Sequence, residues 1–502
     1  MEKAKQRFLT GEWLAQEFPG TPMYVGINFT PFFTTLRKYF PSPSMYILCP
    51  FEPDRYGSYQ AKMIVRHDEA RAMGQKIIDM LICPQYWSSY HNDLEKSERK
   101  IIAMSNQIFK RDYPVEKYST KKIVDIFEKF AKCYYDYFKY ACFQEGISMQ
   151  GEHILATNIS RLKIELKDLG VLFIPTEDSY SLDILKSLRD CKAGLVTPAQ
   201  HSEKYHWCQN NYFEIKYFST KDVLDELEDH SLEYYQDLFD GAIRQKEEML
   251  KQKEEILSTL PKYFQDIVRI TTAIGAKLTD DRKKTMLTCF SAFDKLLCAI
   301  AEQTKTAIAD IRLLIPQELR HFVSNPTAYK QRFQERNKLA LLFQSDFPLL
   351  DEIIDQTGKI PQMNEPFFAE GDVAEKALQQ LNARLNIYES DISINNKLKG
   401  VVAHKNQENE IIGTVRIIKN PKSEILQNGE ILVAPHTTPD FLNAMHKSSA
   451  IVVDWGGQTS HAAIVSRELK KPCIIGTNYA SSVLQTGQKV KINFIDGTVE
   501  VV

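Results

Sequence analysis

The sequence lacks most of the features that would assign it quickly. None of its nine cysteines stands in a Cys-x-x-Cys pair, so neither zinc spacing nor a disulfide ladder is visible, and the thiols are expected to be buried and reduced. No segment approaches the roughly 20 consecutive apolar residues of a membrane helix. The opening MEKAKQRFLTGEW has no apolar core of signal-peptide length, so the expected location is cytoplasmic, with no membrane partner. An excess of one charge is missing too. The 63 Lys and Arg stand against 65 Asp and Glu, a net charge of −2. The two signs are interleaved, as in RQKEEMLKQKEEIL, which argues against nucleic acid as a partner.

What remains is the composition of an ordinary globular protein. The 502 residues are 43% apolar and 25% charged, enough for about two to four domains. Residues 1–115 read as a mixed α/β part, with SPSMYILCPF as a short buried strand and SERKIIAMSNQIFKRDY as an amphipathic helix. Residues 116–347 read as mainly helical. STKKIVDIFEKFAKCYYDYFKYACF opens with Ser119 or Thr120 as N-cap, and its aromatic stripe is expected in the core. SLEYYQDLFDGAIRQKEEMLKQKEEILSTL is ended by Pro261, and DDRKKTMLTCFSAFDKLLCAIAEQTKTAIADIRLLIPQELRHFV is broken at Pro316. A helical bundle is the economical reading. Residues 348–394, with three prolines in their first part and weak periodicity, read as a linker carrying one short helix. From 395 to 502 short β-branched runs punctuated by glycine surround a single clear helix, the pattern of a compact separate domain.

The least ordinary run is GGQTSHAAIVSRELKKPCIIG, Gly456 to Gly476. Ser460 is a good N-cap and Pro472 a stop, so a helix is expected from His461 to about Lys470. His461 then stands at a helix N-terminus, where unpaired N–H groups and the positive end of the macrodipole suit an anion. Gly456 and Gly457 carry no Cβ and let the preceding loop approach a ligand. Thr459 and Ser460 add hydroxyls. An imidazole in such a setting is poised to bind a phosphate or to accept one covalently.

On these residues the run resembles the phosphohistidine, or swivelling, domain of enzymes that use phosphoenolpyruvate, such as phosphoenolpyruvate synthase, pyruvate phosphate dikinase and rifampin phosphotransferase. Their pattern GG-x-[ST]-x-H-A-A-[IV]-[IVL]-[AS]-R-E is matched by Gly456, Gly457, Thr459, His461, Ala462, Ala463, Ile464, Val465, Ser466, Arg467 and Glu468. GEILVAPHTTPDFLNAM resembles the family's strand and T-x-P segment, here Thr437, Thr438 and Pro439, and KPCIIG and DGTVEVV its closing strands.

The resemblance implies an α+β multidomain chain: a large mainly helical N-terminal region followed by a small swivelling β/β/α phosphohistidine domain. It implies a catalytic role for His461 with Thr459 and Ser460, and phosphate binding by Gly456, Gly457 and Ala462. His436, Thr437 and Arg467 are accessory candidates, and Asp440 shares the loop of His436. The family's usual glycine-rich ATP-grasp phosphate loop is not seen, so ATP is expected to act through a separate ATP-grasp protein, with Mg²⁺ at the transfer sites. No motif for a metal can be quoted.

EKYHWCQNNYFEIKYFSTKDVLDEL and DIRLLIPQELRHFV resemble more loosely the acceptor regions of synthase-like kinases such as the glutamine amide kinase, which implies a small-molecule acceptor held by the helical region. His201 and His206 are then candidates for a general base. The alternative is a non-catalytic phosphocarrier or regulatory adaptor controlled by phosphorylation of His461.

Overall fold

The structure is a computed structural model. It describes residues 13–19, 21–34, 48–53, 59–110, 112–164, 168–211, 215–228, 230–343, 367–385, 397–419, 421, 424–438, 441–477 and 479–502. The fold is α+β, with a large helical region and a C-terminal sheet domain.

Strands β1 (Trp13–Pro19), β2 (Leu48–Pro53) and β3 (Tyr59–Arg66) flank a first helix, α1 (Pro22–Thr34). They form an antiparallel sheet in the order β1-β3-β2-β4-β5, completed by β4 (Ala340–Phe343) and β5 (Phe367–Glu370). The two ends of the first 370 residues therefore meet in one sheet, and the helical run between them starts at His67. The principal helices of that run are α2 (His67–Leu81), α3 (Pro84–Phe109), α4 (Thr120–Ala141), α5 (Phe143–Thr157), α6 (Tyr180–Lys192), α7 (Leu232–Thr259) and α8 (Leu278–Thr304).

Local chemistry explains where they begin and end. Ser119 caps α4 by accepting from the Lys122 N–H, and Ser231 caps α7 through Tyr234 N–H at 3.2 Å. Each cap satisfies a donor that the helix leaves orphaned. Helix α7 stops before Pro261, with Leu260 extended as a residue preceding proline prefers. Helix α8 stops well before Pro316: Lys305 takes a left-handed conformation, φ 52°, and its N–H caps the carbonyls of Ala301 and Glu302.

The aromatic stripe of α4 is core. Phe127, Phe130, Tyr134 and Tyr137 are buried, and Phe130 meets Phe293 of α8 with ring centroids 4.4 Å apart. Burial of each such side chain contributes about 1.5–3 kcal/mol.

Part of the expected linker is structured. Phe367–Glu370 pairs with β4, and Gly371–Leu385 forms a helix, α9. The remainder of the 348–394 segment lies outside the described residues.

The C-terminal part contains β6 (Lys397–Lys399), β7 (Val401–His404), β8 (Glu410–Ile417), β9 (Ile431–Ala434), α10 (Leu442–Lys447), β10 (Ala450–Val453), α11 (His461–Glu468), β11 (Cys473–Ile475), β12 (Lys489–Asn493) and β13 (Thr498–Val501). Its sheet runs β6-β13-β12-β8-β9-β10-β11-β7. The β8, β9, β10 and β11 neighbours are parallel, and the outer pairs are antiparallel.

Strands β9 and β10 are buried on both faces. Leu432, Ala434, Ile451 and Val453 meet Ala462, Ala463 and Val465 of α11, whereas Ile431, Val433, Ala450 and Val452 pack toward β12 and β13. Covered on both sides, they read as continuous apolar runs. Parallel β10 and β11 require a crossover, which α11 provides, so its first residue, His461, opens beyond the carboxyl end of β10. No described helix is long and apolar enough to cross a membrane.

Candidate functional site

His461 begins α11. Ser460 is extended, φ −70° and ψ 159°, and its hydroxyl accepts from Ala463 N–H at 3.3 Å, so it serves as the N-cap. Gly456, φ 129°, turns the chain into this loop through a conformation that side chains avoid, and a Cβ there would overlap Ser460. The imidazole is only 4% exposed. Nδ1 shares a hydrogen bond of 2.8 Å with Oγ1 of Thr437, while Nε2 is buried with no hydrogen-bond partner. Such orphans are uncommon in native interiors.

The ring lies nearly parallel to that of Tyr180, 13° between planes and 5.7 Å between centroids. Burial pushes the His461 pKa well below the usual histidine value, and Lys283 and then His436 push the same way. The imidazole is neutral at physiological pH as a result. Lys283 Nζ also donates to the Thr437 carbonyl at 3.2 Å, so a cation of α8 sits beside the Thr437–His461 pair.

The loop before the helix is engaged by a carboxylate. Glu152 of α5 accepts from the Gln458 N–H at 2.9 Å, the Thr459 N–H at 3.0 Å and the Thr459 hydroxyl at 2.7 Å. Thr459 also hydrogen bonds Ser148. The hydroxyl expected to face a phosphate therefore faces Glu152 here, and the loop N–H groups already hold a carboxyl group. A Cβ on Gly457 would overlap that carboxylate. Burial raises the Glu152 pKa, and its hydrogen bonds from Thr459 and the loop amides oppose the shift.

Arg467 does not point to the imidazole. It donates to the Gln458 carbonyl at 2.7 Å, to the Gln458 side chain and to the Ala403 carbonyl, tying α11 to the loop and β7. Burial lowers its pKa to about 10.

Residues 426–497 match the family model described as "PEP-utilising enzyme, mobile domain". Across these residues the chain is similar to that domain. The phosphoenolpyruvate synthase of Pyrococcus furiosus is 36% identical over 166 residues, 30% of this chain and 20% of that protein. The probable phosphoenolpyruvate synthases of Methanothermobacter thermautotrophicus and Archaeoglobus fulgidus are 49% identical over 82 residues and 46% over 88 residues, 16% and 17% of this chain. The chain spans 20%, 12% and 12% of the lengths of these three relatives. Among solved structures, holo aconitase X of Thermococcus kodakaraensis is 20% identical over 21% of this chain and 98% of that one, at a TM-score of 0.17, too slight to bear on the fold.

The mobile domain thus presents His461, Thr459, Ser460, Gly456, Gly457, Ala462 and Thr437 in one small volume at the start of α11. His436 is close enough to act on the charge of His461. Pro439 and Asp440 lie outside the described residues. His201 and His206 belong to the packing of the helical region: His201 Nδ1 bonds Ser187 Oγ at 2.8 Å, and His206 stacks on Phe109 at 4.0 Å.

Sequence reasoning missed Glu152, Tyr180, Lys283 and also Asp280, whose carboxylate accepts from Tyr180 N–H at 2.7 Å. None carries a local signature, because each reaches the mobile domain only through tertiary packing. Among the described residues no group of three or more His, Cys, Asp or Glu could hold a metal ion.

Proposed function

We propose that the chain is a phosphotransferase component in which Nε2 of His461 accepts a phosphoryl group and passes it to a small molecule bound by the helical region. The observation that carries this reading is the division of labour on one ring: Nδ1 anchored by Thr437, Nε2 buried and unpartnered. With the proton on Nδ1 and donated to Thr437, the Nε2 lone pair is the nucleophile. The depressed pKa supports this, since a protonated ring has no lone pair to offer.

In the first transfer Nε2 attacks the terminal phosphorus of the donor, an N–P bond forms, and the P–O bond to the nucleotide breaks. In the second an acceptor oxygen or nitrogen attacks the same phosphorus, its proton leaves to a base, and the N–P electrons return to Nε2. The donor in this reading is ATP, brought with its Mg²⁺ by a separate ATP-grasp protein in the cytoplasm. Lys283 supplies positive charge beside the ring during transfer. Matches to phosphoenolpyruvate synthases across the mobile domain support the phosphohistidine chemistry.

Potassium phosphoramidate, a chemical phosphoryl donor, tests the reading on the full chain. Mass spectrometry at alkaline pH should find an acid-labile, base-stable phosphate on His461, rising under conditions that open the docked molecule. His461 still unmodified in the opened molecule, while the half-exposed His91 is labelled, would sink the assignment.

A further inference from the structure

The loop between β10 and α11 forms a receptor for two oxygens carried on one atom. Glu152 of α5 sets Oε2 against the Gln458 N–H at 2.9 Å, and Oε1 against the Thr459 N–H at 3.0 Å and the Thr459 hydroxyl at 2.7 Å. Gly457 leaves the room for it, since a Cβ there would overlap the carboxyl. Consecutive N–H groups converging on one group make the kind of concavity in which proteins hold anions. The mobile domain supplies every one of these donors, and the occupant comes from the helical region.

A cation stands behind the receptor. Arg467 is buried, and its guanidinium donates to neutral oxygens: the Gln458 carbonyl at 2.7 Å, the Gln458 side chain and the Ala403 carbonyl at 3.2 Å. Burial raises the Glu152 pKa, whereas the Thr459 hydroxyl, the loop amides and then Arg467 pull it down, so the guanidinium acts on the carboxyl as well. A buried cation bonded to neutral oxygens favours negative charge beside it. The helical region also closes over the receptor from a second side, because a Cβ on Gly170 would stand 2.8 Å from the Arg467 guanidinium and 2.9 Å from the Gln458 side chain. In the docked molecule an anion from solution reaches the three donors only by displacing Glu152.

We propose that Glu152 is a tethered competitor for this receptor, which in the open molecule takes a phosphate-class anion on the same three donors. Phosphate presents two oxygens on one atom, as a carboxyl does, and brings more negative charge toward Arg467. Anion binding and docking are then antagonistic, and by linkage each weakens the other by the same factor. This goes beyond the phosphotransfer reading, since the receptor needs no phosphoryl group on His461.

Inorganic phosphate on the full chain is the probe, with potassium chloride at matched ionic strength as the control for screening of the polar docking contacts. By calorimetry Glu152→Ala should bind phosphate roughly tenfold or more tightly than the native chain, the size of an ordinary coupling between competing contacts. Thr459→Val added to Glu152→Ala removes one donor and should lose most of that gain. On the native chain phosphate should speed hydrogen exchange at Ser148–Glu152 and open the molecule in small-angle scattering, where chloride does not. His461→Ala should leave all of this unchanged, so a His461 that accepts no phosphoryl group would sink the phosphotransfer reading and leave the receptor standing. If Glu152→Ala misfolds by circular dichroism, Glu152→Gln, which fills the same space with one acceptor oxygen, should give a smaller gain. Equal phosphate affinity in the native chain and a folded Glu152 variant, a gain that survives Thr459→Val intact, or opening by chloride as far as by phosphate would each overturn the proposal.

Discussion

Thr437 decides which nitrogen of His461 is free. Its 2.8 Å hydrogen bond to Nδ1 fixes the ring and, with Nδ1 as the donor in the proposed reading, the tautomer as well, so Thr437→Val, which keeps the shape and removes the hydroxyl, should leave a buried nitrogen unsatisfied. The loss of one such bond, about 1–1.5 kcal/mol, corresponds to roughly a tenfold slower phosphorylation of Nε2. Nitrogen NMR of the imidazole should then show mixed tautomers, with Ser at the position restoring both signals. An unchanged labelling rate in Thr437→Val would remove Thr437 from the mechanism. Gly457 is as specific in a different way. A Cβ there meets the Glu152 carboxylate, so Gly457→Ala is expected to push α5 away while leaving the β-sheet of the mobile domain folded. Faster hydrogen exchange at Ser148–Glu152 with β9 and β10 still protected would show it.

At the scale of elements, α5 acts on α11 through the loop between β10 and α11. Glu152 receives three donors from Gln458 and Thr459. A glutamine has one acceptor oxygen in place of two, so Glu152→Gln strands at least one donor, at a cost of about 1–3 kcal/mol. Exchange of the amides at 457–463 should rise five- to a hundredfold, and an unchanged rate would mean that Glu152 does not secure the loop. The start of α11 was readable because caps are local: Ser460, like Ser119 and Ser231, sits one residue before an apolar-periodic run. The doubled glycine and the histidine were readable for the same reason. The partners were not. Glu152, Tyr180 and Lys283 come from three helices far back in the chain, and nothing around them in sequence marks the face that meets the mobile domain. Strand β5 was missed on similar grounds: Phe367–Glu370 is too short to show a period, and its pairing with β4 across more than 20 intervening residues left no local trace.

The molecule as a whole must move if His461 serves two sites, because its Nε2 is buried against the helical region. The docking contacts described between the two parts are largely polar: Glu152 and Ser148 with the loop, Ser179 with Glu468, Lys283 with the Thr437 carbonyl, Tyr234 with His446. Three carboxyls among the docked groups carry raised pKa values, all chiefly through burial: Glu152, Asp280 and Glu468. Asp280 goes up to about 7, with Asp281 raising it further and Lys277 and Lys283 opposing; Glu468 goes up to about 8, with Asp280 and Asp178 raising it and Ser179 and Lys246 opposing. A raised carboxyl pKa means that the docked state binds the proton more tightly than the open state does. Docking is thus least penalised near the ordinary carboxyl pKa of about 4 and weakens as pH rises toward 7 and 8. His461 and His446 work in the opposite sense, since their pKa values, lowered by burial, disfavour docking in acid. Well above the ordinary value of about 6.5 they are neutral in either state and add little. Between pH 6.5 and 8.5 the carboxyls dominate. Their titration should loosen docking by about 1–2 kcal/mol, allowing for the partial exposure of Glu468. Small-angle scattering and exchange at α11 should both report a more open molecule at pH 8.5, and Asp280→Asn with Glu468→Gln should flatten the dependence. A profile that is flat in the native protein, or one that tightens with rising pH, would show that these carboxyls do not govern docking.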